Sequence, residues 1–199
     1  MKPIRLAWVA LFLLAASPAI CRAELPVGAT EADTSMDGRF VVYLRELPGL
    51  FAPTPSGDSL AAAELWFSRV DGSQPRVLLA AGDPLPGLIT PMAGLHSPQF
   101  SPDGRRVYFT TLHTVTSDAV VALDLLENTP RLVCGANSLF VVRRGRYAGN
   151  LLVEQHRYRK GGGSYDWLYL VSPAGKRILT LGDSEDPAVR ARANALFTR

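Results

Sequence analysis

Three histidines, His96, His113 and His156, are the natural candidates for metal or acid–base chemistry in this 199-residue chain. None has a second His, Cys or acidic residue at ligand spacing, and neither H-E-x-x-H nor C-x-x-C occurs, so no metal site is expected. A serine nucleophile would need an elbow of the form G-x-S-x-G. The nearest approach, Gly162-Gly163-Ser164-Tyr165-Asp166, lacks the closing glycine and belongs to a hairpin rather than a strand-to-helix turn. No catalytic residue and no cofactor is therefore assigned. Cys134 follows Leu132 and Val133 and precedes Gly135, which reads as a buried, inert thiol; an intermolecular cross-link is the alternative.

Charge says more than these lone groups. From Arg143 to Lys160, six bases (Arg143, Arg144, Arg146, Arg157, Arg159, Lys160) face only Glu154, a local balance of +5. From Glu24 to Asp71, eight acids face Arg39, Arg45 and Arg69, a balance of −5. The arginine fork suits carboxylate and phosphate partners, and arginine with aromatics is what interface centres show. The expected binding residues are Arg143, Arg144, Arg146, His156, Arg157, Arg159, Tyr165 and Trp167, carried by two paired strands as one continuous patch beside Tyr147 and Tyr158. The expected partner is an acidic protein segment or an anionic envelope component such as a glycan or lipid head group. The competing reading is a solvated face balanced by the acidic first unit, within the chain or across a homodimer.

The whole-chain balance is 21 Lys+Arg against 18 Asp+Glu, or +3, and Lys2, Arg5 and Arg22 account for all of the excess. A global polycation built for nucleic acid is thereby excluded. Those three bases belong to a segment with the parts of a secretory signal: a positive start, the apolar run LAWVALFLLAA at 6–16, and a small residue at Ala23. Eleven apolar residues are too few to span a bilayer, which takes about 20. Acylation at Cys21 is disfavoured by the bulky Ile20 before it. The expectation is a signal peptide over 1–23, cleaved near Ala23, and a single exported domain over 24–199, periplasmic or secreted, with no transmembrane span.

That domain reads as all-β. Short runs of Val, Leu, Tyr and Phe alternate with Gly, Pro and Asp, and helical periodicity is almost absent before residue 186. The runs repeat. Ser35-Met36-Asp37-Gly38-Arg39-Phe40-Val41-Val42-Tyr43 matches Ser101-Pro102-Asp103-Gly104-Arg105-Arg106-Val107-Tyr108-Phe109. A second pattern, strand–turn–strand, recurs three times and enters its last strand at Arg76, Arg131 and Arg177. Three antiparallel four-stranded meanders follow, over about 30–82, 95–135 and 137–182. Residues 47–63 read as an inserted loop, 138–147 and 150–159 as paired strands, and 188–197 as a short helix started by Asp186-Pro187.

The stretch Pro98-Gln99-Phe100-Ser101-Pro102-Asp103-Gly104-Arg105-Arg106-Val107-Tyr108-Phe109 resembles the β-propeller repeat of TolB-type periplasmic proteins, also found in propellers of prolyl-oligopeptidase-like enzymes. The match is good over 97–111, fair over 34–43 and poor in the third unit. The resemblance implies propeller-like blades and protein–protein contact rather than chemistry. Propellers typically close with about 4–8 blades and this chain offers about three, so a hidden fourth blade, an open stack and a ring completed by two chains all stay open. The expected function is a non-catalytic binding or scaffolding role in the envelope. The alternative is an exported enzyme acting on a glycan or lipid through Glu154 and Asp166, which would have to converge within about 10 Å across a cleft.

Overall fold

The computed structural model describes residues 28–85, 87 and 92–198. The expected signal peptide, its cleavage point and Cys21 lie outside the described residues. The described chain forms twelve strands and one helix in three antiparallel four-stranded sheets. The first sheet holds β1 (Ala29–Thr34), β2 (Phe40–Pro53), β3 (Ser59–Arg69) and β4 (Arg76–Leu79). The second holds β5 (His96–Phe100), β6 (Arg106–Leu112), β7 (Asp118–Asp124) and β8 (Thr129–Gly135). The third holds β9 (Ser138–Val141), β10 (Leu151–Tyr158), β11 (Ser164–Val171) and β12 (Arg177–Asp183), followed by helix α1 (Pro187–Thr198). Strand order equals chain order in every sheet, so each is a meander.

The repeated S-x-D-G turn starts the first two meanders with the same bonds. Ser35 donates its hydroxyl to Asp37 at 2.6 Å and accepts the Phe40 N–H at 3.0 Å. Ser101 does the same with Asp103 at 2.6 Å and Arg106 N–H at 2.9 Å. Gly38 and Gly104 supply the positive φ, 71° and 67°, that lets each turn close.

Alternation along the strands then sends one apolar face of each sheet into its neighbour. Val42, Leu44 and Leu65 of the first sheet pack on Phe100, Val107, Phe109, Val121 and Leu123 of the second. Tyr108, Val120 and Ala122, on the second sheet's other face, pack on Leu139, Val141, Leu151, Val153 and Tyr169 of the third. The last face, Leu152 and Leu168, is covered by Val189 and Ala193 of α1. Asp186 caps that helix by accepting the Ala188 N–H at 2.8 Å. The helix thus occupies the place where a fourth sheet would stack.

Two expectations are corrected. Residues 47–63 are not a loop: β2 and β3 continue through them as a long ribbon, with Phe51 opposite Ala61 and Pro53 opposite Ser59, and an irregularity between Glu46 and Phe51 absorbs Pro48 and Gly49. The strand expected over 138–147 ends at Val141. Gly149 N–H returns to Val142 O at 2.8 Å, and Ala148 N–H to Gly145 O at 3.1 Å, so the intervening chain loops back.

Candidate functional site

The chain breaks the expected basic patch into three places. Val141 pairs with Leu151, so the loop carrying Arg143, Arg144 and Arg146 sits at the start of β10, whereas Arg157 sits near its end. The seven rises from Leu151 to Tyr158 separate the two ends by roughly 23 Å. The continuous patch is therefore a correction: the structure brings Arg157, Arg159, Tyr165 and Trp167 together and leaves Arg143, Arg144 and Arg146 elsewhere.

Arg143 and Arg144 belong to an axial cleft of about 630 Å³ where the inner strands β1, β5 and β9 meet. Side chains of one inner strand hold the backbone of the next here. Asp33 accepts the Phe100 N–H at 2.8 Å, and Glu31 accepts the Ser97 N–H. Gln99 accepts the Val141 N–H at 3.0 Å and donates to Leu139 O at 2.8 Å. Arg143 spans the cleft to bond Asp33, tying the third sheet to the first. Its charge is used within the fold. Arg146 bonds and stacks on Tyr147, at a separate cleft beside Leu181 and α1.

The hairpin end of β10 and β11 keeps its charge unspent. Arg159 lies over the Tyr165 ring at 5.4 Å, Tyr165 meets Trp167 edge-on at 5.3 Å, and Arg157 lies over Tyr169 at 5.5 Å. Odd-numbered β10 residues face the second sheet, since Leu151 and Val153 pack there. Gln155 opposes Trp167 and Arg157 opposes Tyr165, so these side chains share that face. His156 is on the other face, opposite Asp166, which its Nδ1 meets at 2.8 Å. Arg157, Arg159 and Lys160 make no ion pair among the described residues, unlike Arg106 with Asp124, Arg143 with Asp33 and Arg190 with Glu185. Gly162 and Gly163, at φ 95° and 80°, turn the hairpin without adding bulk.

Glu154 and Asp166 share a face as diagonal neighbours across β10 and β11. Neither lines the axial cleft, the helix-side cleft or the cleft between the second and third sheets. Asp166 is held by His156. Cys134 is half-buried, and burial pushes its thiol up to about 11, against a smaller opposing hydrogen bond from Gln155. Its thiolate is therefore scarce at neutral pH. No group of three or more His, Cys, Asp or Glu suited to a metal occurs among the described residues.

Sequence reasoning missed Arg177, which lies over the Tyr169 ring at 4.1 Å. Its signal was present in the repeat: Arg76, at the same position of the first sheet, lies over Phe67 at 5.0 Å.

No protein-family model matches this chain, and no curated protein does. Solved structures do. An acylaminoacyl peptidase from Pyrococcus horikoshii aligns with a TM-score of 0.51 at 12% identity, covering 79% of this chain and 25% of that one. The fold is that of β-propeller blades. The propeller neighbours also include TolB from Acinetobacter baumannii (16% identity, TM-score 0.45, 78% of this chain and 32% of that one). Another is the β-propeller domain of the Trilobed protease from Pyrococcus furiosus (14%, 0.45, 76% and 41%). This chain thus spans less than half the length of each. Among the described residues the architecture is three β-propeller blades, and a likeness at 12% identity carries no activity. No helix among the described residues is long and apolar enough to cross a membrane.

Proposed function

We propose that this chain is a non-catalytic binding module of the cell envelope. It is exported by the segment 1–23, with cleavage near Ala23, and captures an acidic segment of a partner protein at the hairpin end of its third blade. The remaining residues, 24–199, act as one unit. The observation that carries this reading is the group Arg157, Arg159 and Lys160 beside the Tyr165–Trp167 ring pair, without carboxylate partners among the described residues. Rigid antiparallel strands present this end, and strand ends and loops are where scaffolds of this kind carry recognition. Exposed arginine beside aromatic rings offers both charge attraction and stacking at small entropic cost.

The test uses a fluorescent peptide of alternating Glu and Tyr, followed by anisotropy. Arg159→Glu with Lys160→Glu is the informative variant, because both side chains are exposed. Arg157 is half-buried and bonded to Gln155 at 2.7 Å, so its reversal would disturb the sheet as well. The double variant is expected to bind about tenfold more weakly, consistent with a loss near 1.4 kcal/mol, with unchanged thermal unfolding. Equal affinity for both proteins overturns the assignment.

A further inference from the structure

Three buried side-chain nitrogens among the described residues make no hydrogen bond: His113 Nδ1, Arg157 Nε and Trp167 Nε1. Buried polar groups are normally paired, and leaving one unpaired costs about 1–3 kcal/mol. Arg157 Nε and Trp167 Nε1 lie on one face of the third blade as diagonal neighbours, because Gln155 opposes Trp167 and Arg157 opposes Tyr165. Such pairs stand about 7–8 Å apart. Both nitrogens are donors, so the missing partner is an acceptor.

A second guanidinium points to the kind of acceptor. Arg177 enters from β12 over the Tyr169 ring at 4.1 Å, and Arg157 lies over the same ring at 5.5 Å. The two cations are thus no farther apart than the sum of those distances. Neither has an ion-pair partner among the described residues. Like charges converging without a counter-charge repel, and an anion between them removes that repulsion. Both arginines line a cleft of about 410 Å³ at the seam between the second and third blades, with Ser117, Asn137 and Gln155.

The rest of the lining, which includes Gly135, Ala136 and His156, holds no carboxylate. Gln155 already accepts from Arg157 and donates to Gly135 O at 2.8 Å. Asn137 Oδ1 accepts the Asp118 N–H at 3.1 Å, which leaves its amide nitrogen to donate. Neither Asp118 nor Asp166 lines the cleft. We propose that this seam cleft is an oxyanion site, in which a carboxylate or phosphate group sits between Arg157 and Arg177, satisfies the unpaired Arg157 Nε and draws a further donor from Asn137. The site shares Arg157 with the surface proposed above but needs Arg177 and not Arg159, so Arg177→Gln and Arg159→Glu separate the two.

Isothermal titration with inorganic phosphate and, separately, with succinate tests it, with ionic strength held constant by chloride. Saturable binding of either anion is expected, and the preferred one tells whether the natural ligand brings phosphate or carboxylate. Arg177→Gln is expected to weaken binding about tenfold or more, the size of one lost charge-assisted hydrogen bond. Arg159→Glu, a control for general electrostatics, is expected to change it less than Arg177→Gln. Because Arg177 is exposed, the variant folds, and its unfolding midpoint without anion stays that of the parent protein. Absence of saturable binding for both anions, or equal affinity in Arg177→Gln and the parent, overturns the proposal.

Discussion

Asp33 and Gln99 occupy equivalent positions, each two residues before the serine of an S-x-D-G turn, and each holds a backbone N–H of the following blade. Asp33 takes Phe100 at 2.8 Å and Gln99 takes Val141 at 3.0 Å. The same place in the third blade is Phe140, 54% exposed, whose side chain carries neither donor nor acceptor.

Gln99→Leu removes a donor and an acceptor while keeping a comparable volume, and leaves Val141 N–H and Leu139 O unpaired. Urea unfolding is expected to show a loss of about 2–3 kcal/mol. A loss below a few tenths would mean the latches do not hold the blades together.

The Ser101 hydroxyl donates to Asp103 and accepts from Arg106. Burial pushes the Asp103 carboxyl up, but the Ser101 hydroxyl and the Arg105 N–H outweigh it and hold it below its ordinary 3.8. A depressed acid stabilises the fold above its unfolded value and loses that contribution as pH falls through the folded value. Stability is therefore expected to drop below about pH 4. Ser101→Ala should cost about 1 kcal/mol near neutral pH and make the acid drop shallower. A steeper drop in the variant contradicts the role given to the hydroxyl.

The folded protein is expected to resist iodoacetamide at neutral pH at Cys134, because burial pushes that thiol to about 11, and to react once denatured. Mass spectrometry of the digested protein reads the label. Fast labelling of Cys134 in the native protein would show a reactive thiol and return the disulfide-linked dimer to consideration.

Gly175 turns between β11 and β12 at φ 79°, and a Cβ there would stand 2.3 Å from Val133 O of the second blade. Gly175→Ala is expected to lower stability by at least about 2 kcal/mol, through backbone strain and a displaced β8. Thermal unfolding measures it, and an unchanged midpoint would show that the two blades do not approach this closely.

The blades were legible because D-G and S-P turns punctuate apolar runs, and because Asp186-Pro187 announces the helix. The ribbon over 47–63 was not, since Pro48, Pro53 and Pro55 read as loop, yet a projecting ribbon tolerates prolines where ladder bonds are missing. The basic residues were counted correctly and grouped wrongly. Whether Arg143 neighbours Arg157 depends on where β9 stops, and Gly145 and Gly149 stop it at one end of β10. Asp33 as the partner of Arg143 was beyond reach for the same reason: only the packing of β1 against β5 and β9 brings residues so distant in sequence together.

The central claim is that the unpaired charge of Arg159 and Lys160, beside Tyr165 and Trp167, is a recognition surface. Amide chemical-shift mapping with the Glu–Tyr peptide tests it most directly. The expected result is a set of shifts confined to 156–167, with 31–33, 97–99 and 143–144 unmoved. Shifts centred on the axial cleft, or none at saturating peptide, would contradict it.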